Sequence, residues 1–376
     1  ISGRVTDAET GLPIANVDVE AENAFGDGPN SYTSTDSNGR YTLEGVAPGT
    51  YRIRVQGSRQ GYIREYYDDR LDYGNADLVA IDGAEAIEGI DIGLRLGATI
   101  SGRITDVETG LPIGNVDLDA ESAFGRGPTS HTRTDSTGRY TLQGIAPGTY
   151  RIKVRASKQG YIREYYNDRQ SWDNADLVYI GGAEMVEGMD VGLTLGATIS
   201  GRVTDVGTGL PIGQVELRAE NAFRGGSDSY TRTDSDGRYT LRGVAPGTYV
   251  IKVQASEQGY IQGYYGSELN WDDADRVTIS GVEAFQGIEI GLKLGATVSG
   301  QVVDAETNLP IPYMDISAGL LYGDHIAWTS TDHEGNYTLQ GLPDGVIEIF
   351  VNGQGYIETR ITVTVQEGAN ITGVDF

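Results

Sequence analysis

The heptapeptide Ile1-Ser2-Gly3-Arg4-Val5-Thr6-Asp7 returns at 100–106, at 199–205 and, as a variant opening on Val298, at 298–304, always 99 residues on. Three full copies and a fourth of 79 residues account for all 376 positions. A unit of this length is too long for a solenoid repeat, which must stack on its neighbours to bury a core. It is the size of an independent domain. The sequence therefore predicts four tandem domains, 1–99, 100–198, 199–297 and a shorter 298–376, with boundaries at 97–99, 196–198 and 295–297. Three residues such as Gly97-Ala98-Thr99 are too few for a flexible tether, so neighbouring domains are expected to touch and form a semi-rigid rod.

Within one copy the hydrophobic period is two. In Tyr51-Arg52-Ile53-Arg54-Val55-Gln56 the apolar residues fall on one side and the polar ones on the other, the pattern of a half-buried strand. Val17 and Val19, Tyr41 and Leu43, and Ile90, Ile92 and Leu94 repeat it. Turn residues separate the segments: Thr10-Gly11-Leu12-Pro13, Asp36-Ser37-Asn38-Gly39 and Ala47-Pro48-Gly49. No stretch carries a helical period. About seven short strands per copy read as an all-β chain of seven-stranded sandwiches.

The charge balance excludes several classes of function. With 28 Lys+Arg against 54 Asp+Glu the net charge is −26, which repels nucleic acid and anionic lipid. The first copy carries −9 and the fourth −10, so the ends are the most acidic parts. No apolar run approaches the ~18 residues of a membrane span, so neither nucleic-acid binding nor membrane insertion is expected. Cysteine is absent, which rules out disulfides and thiolate metal sites. Ile1 opens in a strand with no leader ahead of it, compatible with a removed signal and with none.

The order Gly-x-Val-Thr-Asp, Thr10 to Ile14, Thr35-Asp36 with Gly39, Tyr41 and Leu43, then Pro48 to Tyr51 resembles the carboxypeptidase regulatory-like domain family. These are transthyretin-like (prealbumin-like) sandwiches, similar to collagen-adhesin B-type surface repeats. The resemblance covers all four copies. The fourth departs mildly, with Asn308 for the first glycine and Asp344-Gly345-Val346 for Gly-Thr-Tyr. It implies a seven-stranded Ig-like or prealbumin-like sandwich, used as a spacer or accessory module in prokaryotic secreted or surface proteins, with no catalytic residue. Surface domains of the adhesin type can carry Lys–Asn cross-links. The only lysines are Lys153, Lys158, Lys252 and Lys293, so the first and fourth copies cannot form one.

Two features compete as sites. The Asp-x-x-Gly turn looks like the start of a calcium loop in Asp234-Ser235-Asp236-Gly237. Its third position changes from copy to copy and no bidentate glutamate follows, so it reads as hairpin chemistry. The second is an aromatic, acidic loop in the first three copies. It contains Tyr66, Tyr67 and Tyr73, then Tyr165, Tyr166 and Trp172, then Tyr264, Tyr265 and Trp271. Its oxygen donors Asp69, Asn75 and Asp77, Asp168, Asn174 and Asp176, and Asp273 and Asp275 could ligate Ca2+, although no cofactor is required. Its rings could stack on sugars. The fourth copy lacks the loop and has no following domain, so the rings are expected to pack against the start of the next domain and stiffen the joint.

His131, His325 and His333 do not recur, and no nucleophile–base pair does, so no enzyme is expected. The sequence thus predicts an extracellular, secreted structural protein: a rod-like subunit of a surface stalk or filament, with copies of itself as partner. The alternative is an adhesin that holds a cell-surface glycan or protein through the aromatic loops or the divergent fourth repeat.

Overall fold

The computed structural model describes every residue except 26–28, 84–85, 126–128, 224–228, 267–268, 270, 321–324, 354 and 367. The chain divides into two compact units, Ile1–Leu195 and Gly196–Phe376. Each unit holds two copies of the repeat, and each copy is a sandwich of two β-sheets. The chain is all-β, four sandwiches in tandem, as the alternation in its sequence requires.

The first copy shows the plan. Its strands are β1 (Ser2–Asp7), β2 (Asp18–Asn23), β3 (Ser31–Ser34), β4 (Arg40–Thr42), β5 (Gly49–Gln56), β6 (Glu65–Tyr66), β7 (Leu78–Ile81) and β8 (Ile92–Leu94). One sheet runs β4-β1-β8, with β4 antiparallel and β8 parallel to β1. The other runs β3-β2-β5, all antiparallel. Both β6 and β7 pair with the outer side of β5, β6 at Arg54 and Val55 and β7 along residues 49–52. They are one edge strand broken by an insertion. Among the described residues of this copy, seven strand positions thus hold eight strands. In the second and third copies the strand parallel to the first is also split, at Met185–Val186 and Val191–Leu193, and at Ala284–Phe285 and Ile290–Leu292.

The inward sides of these strands make the core. Tyr51, Ile53, Val55, Val17 and Leu94 are fully buried, with Val19, Tyr41, Leu43, Ile90 and Ile92 packed around them. The repeated motifs fix the surrounding backbone. The Tyr41 hydroxyl donates to the Ile90 carbonyl at 2.7 Å. A Cβ on Gly3 would lie 2.0 Å from that same carbonyl oxygen, so the first motif needs glycine because the tyrosine motif needs its acceptor there. Burial lifts the Tyr41 hydroxyl well above the ordinary tyrosine range. Buried Thr35 donates from Oγ1 to the Ile14 carbonyl and accepts from the Val17 N–H. Asp36 Oδ1 accepts the N–H groups of Asn38 and Arg40 while Gly39 takes φ +73°. That is the hairpin chemistry expected of Asp-x-x-Gly. The same bonds recur at Tyr140, Tyr239 and Tyr337.

The fourth copy has one strand for each of the seven positions among its described residues. Thr359–Val365 pairs without a break along Gly345–Val351. The aromatic loop missing from its sequence is therefore the insertion that breaks this edge strand in the other three. A broken, loop-covered edge is a poor template for pairing with another chain.

Replacing Tyr140 by Phe leaves the buried Met189 carbonyl, now 2.7 Å from the hydroxyl, without a donor. The expected loss is ~1–3 kcal/mol, confined to the second copy. Denaturant unfolding of the full chain should show one step moved to lower denaturant and the rest in place. An unchanged profile contradicts the role given to this hydroxyl.

Candidate functional site at the joint between repeats

In the first unit the chain leaves β5 through a short 3-10 turn, Ser58–Gln60, capped by Gly61 at φ 86°. Glycine is needed at that left-handed position because a Cβ there strains the backbone. Tyr62 then forms a bridge with Leu96, the Ile63 N–H donates to the Arg95 carbonyl at 2.9 Å, and the Gly97 N–H donates to the Gly61 carbonyl at 2.9 Å. The next strand, Ala98–Asp106, begins one residue later. The three residues read as a connector thus belong to two hydrogen-bonded systems at once, and no free linker separates the first two copies.

Two glycines let the copies close. A Cβ on Gly97 would lie 2.5 Å from the Gly144 carbonyl carbon. A Cβ on Gly144, itself at φ +65°, would lie 2.3 Å from the Tyr62 carbonyl oxygen and 3.0 Å from Ser58 Cα. The second unit repeats this. The Gly295 N–H donates to the Gly259 carbonyl at 2.9 Å, and a Cβ on Gly341 would lie 2.4 Å from the Tyr260 carbonyl oxygen. In the first copy the equivalent Gly45 has φ +66° and nothing within 4 Å of an added Cβ. Its backbone is the same and its surroundings are open.

The turn is anchored from behind. Tyr62 Oη donates to Asp7 Oδ2 at 2.9 Å, and Asp7 Oδ1 accepts from the N–H groups of Glu9 and Thr10 and from the Thr10 hydroxyl. The Thr10 N–H and hydroxyl, then Tyr62, hold the Asp7 carboxyl below its usual range. Burial, then the Asp7 bond, raises the Tyr62 hydroxyl. Tyr161 with Asp106 and Tyr356 with Asp304 make the same bond. The Thr-Asp of the opening motif is thereby tied to the joint some 55 residues on. Sequence reading missed these groups as joint residues. Their signal was present: Gly-Tyr-Ile recurs in all four copies, the fourth included.

The aromatic rings of the insertion lie over their own sandwich. Tyr66 meets Tyr73 edge-on at 6.1 Å, the Arg52 guanidinium sits 4.1 Å above the Tyr73 ring, and Tyr67 packs against the core of the first copy. Tyr165 meets Trp172, Arg151 covers Trp172, and Tyr166 packs on its own core. Tyr264 meets Trp271 at 5.6 Å, and Tyr265 packs on the third core.

The acids of the loop are engaged locally. Asp77 sits 3.3 Å from Arg70. Asp68 shares a hydrogen bond with Asp77, which raises the Asp68 carboxyl. Asn75 donates to Asp72, and Asp176 accepts from Asn167 at 2.6 Å and from Arg169 at 3.3 Å. Asp69 and Asp168 occupy left-handed backbone at φ 58° and 60°. The Asp275 N–H donates to the Tyr265 carbonyl at 2.8 Å, and Asp273 likewise has a partner. Asn174 lies exposed in the same loop. Among the described residues no three His, Asp or Glu side chains form a group that could hold a metal ion.

Two glutamates of the broken edge strand are buried. Glu65 is fully buried and pairs with Arg95 at 3.1 Å; burial raises its carboxyl and Arg95 pulls it back. In the second copy Thr194 stands where Arg95 does. Glu164 is left with burial as the main influence, then Asp168, and its carboxyl is pushed up to about 7. No histidine constellation accompanies it. His131 pairs with Asp119, His333 with Tyr313, and His325 tilts over Phe350.

The carboxypeptidase regulatory-like domain family matches the chain four times, over residues 1–76, 99–167, 198–280 and 297–376. The chain belongs to that family. It is similar to Colossin-A of Dictyostelium discoideum, 24% identical over an alignment of 353 residues that covers 83% of this chain and 3% of that protein. Among solved structures it is similar to the Bacillus anthracis TIE protein, at 13% identity and a TM-score of 0.24, covering 100% of this chain and 72% of that one. It is also similar to a streptococcal ancillary pilin, at 11% identity and a TM-score of 0.26, covering 74% of this chain and 98% of that one. Among the described residues no helix is long and apolar enough to cross a membrane.

Gly144→Ala and Gly45→Ala impose the same left-handed strain, ~1–2 kcal/mol, but only the first collides with a neighbouring copy. Small-angle scattering of the full chain should therefore change for Gly144→Ala and stay as wild type for Gly45→Ala. Equal effects would show that strain alone matters.

Because the folded Glu164 carboxyl binds its proton up to about 7, against an ordinary value of 4.5, the native state holds more protons than the unfolded one between those values. Stability from this group is complete below pH 4.5 and lost as pH rises through 7. Glu164→Gln should raise the melting temperature at pH 8 more than at pH 5. A shift of the same size at both would contradict the buried acid.

Proposed function

We propose that the chain is a non-enzymatic, extracellular structural protein, a rod-like tandem-repeat segment of a cell-surface stalk or filament. The observation that carries this reading is the repeated joint. Gly97, Gly144 and Tyr62 in one unit and Gly295, Gly341 and Tyr260 in the other close two sandwiches with no free linker. A chain whose task is to bear length and load needs such joints, whereas a set of independent binding modules works as well on flexible tethers. The excess of acid keeps such a surface soluble. The edge strands of the first three copies, broken and covered, resist unplanned sheet pairing.

Electron microscopy of the purified full chain tests the reading. Straight particles of one length, or long polymers of them, are expected at any salt concentration. Strings that bend freely at every copy would overturn it.

A further inference from the structure

The joint of the second unit also forms a cleft of about 300 Å³ between the third and fourth copies. We propose that it is a binding site for a neutral oligosaccharide, with Trp328 as its stacking platform. Trp328 lies on the edge strand His325–Ser330, opposite Ser317, and is 62% exposed. An indole so placed leaves a large apolar face in water, where packing would normally hide it. The third copy contributes Gln254 and Ser256, and the fourth contributes Thr338 and Gln340. Among the described residues the side chains of these four, and the Trp328 indole N–H, make no hydrogen bond within the protein and face water. Donors and acceptors left unpaired around one exposed aromatic face match a pyranose. Its C–H face is apolar and stacks on the ring, and its rim of hydroxyls both donates and accepts.

The charges of the lining set the class further. Among the described residues Glu216 and Glu257 line the cleft against one cation, Arg232, and Arg232 already lies 3.4 Å from Glu216. An anionic sugar would meet net negative charge, so the site suits a neutral one. The volume is at the low end of the ~300–1,000 Å³ of ligand pockets, enough for a short stretch of chain.

The corresponding place in the first unit is built differently. His131 stands where Trp328 does, opposite Asp119. It is held by Asp119 at 2.9 Å, Arg155 reaches Asp119 at 2.8 Å, and Arg133 reaches Asp117 at 2.7 Å. That lattice of ion pairs engages the ring at this position, whereas Gln56, Ser58, Thr141 and Gln143 repeat the four polar side chains, so the difference between the units lies at Trp328. The site needs the joint between the third and fourth copies but not a polymer, so it stands or falls apart from the filament reading.

The test is calorimetric titration of the full chain with cellohexaose, maltohexaose and chitohexaose, and with hexagalacturonate as the anionic counterpart. At least one neutral hexasaccharide should bind saturably. Trp328→Ala should weaken that binding at least ~tenfold, since one stacked ring contributes about 1.4 kcal/mol or more. Trp328→Tyr should retain part of it, and Tyr32→Ala, an exposed ring on the matching strand of the first copy, should change nothing. Trp328 is exposed, so the variants fold. No binding by any neutral probe, undiminished binding by Trp328→Ala, or tighter binding of hexagalacturonate would each overturn the proposal.

Discussion

The carbonyl oxygen of Tyr62 occupies the space that any side chain on Gly144 would need, and the joint between the first two copies follows from that contact. Tyr62 is held there by its hydroxyl bond to Asp7, and its neighbour Gly61 takes a left-handed turn to bring the carbonyl forward. Gly97 passes the chain through the same narrow space. Because each partner is backbone, the approach cannot relax by a change of rotamer. A β-sandwich presents mostly polar side chains on its outside, and two such surfaces touching through long side chains would slide. Contact through backbone at glycines does not.

Much of the fold was legible because burial follows alternation. Tyr51, Ile53 and Val55 were read as inward residues and are fully buried, and the Asp-x-x-Gly turns were read as hairpins and cap them with the expected bonds. Among the described residues the strand count is higher than seven in the first three copies because the edge strand counts as two pieces on either side of the insertion, and in the second and third copies the strand parallel to the first also counts as two. The joint was less legible. Gly-Tyr-Ile looks like a turn followed by a strand in any one copy, and its contact partner, Gly144, lies in the next copy at a position that also reads as a turn glycine. Sequence spacing carries no sign that two turns 82 residues apart meet. The fourth copy lacks the loop rings. Structurally, that absence is an unbroken edge strand, and the rings of the other three sit over their own sheets.

Near-identical repeats still diverge where their neighbours differ. Glu65 has Arg95, Glu164 has only Thr194, and Gly263 replaces the acid in the third copy. His131 sits in an ion-pair lattice where Trp328 faces an open cleft. The shared positions carry the sandwich and the joint. Of the unshared ones, Glu65 and Glu164 are buried, whereas His131 and Trp328 lie on the outward sheet face, where substitution is cheap for stability and recognition of another molecule can evolve.

Distance measurement across one joint tests the central claim most directly. The chain has no cysteine, so Leu12→Cys and Leu111→Cys, at exposed and equivalent positions of the first two copies, place two spin labels uniquely in the full chain. Pulsed electron–electron resonance should give one narrow distance distribution, which broadens when Gly144→Ala is added. A broad distribution in the unsubstituted chain, as wide as that of the Gly144→Ala variant, would contradict a joint fixed by backbone contact.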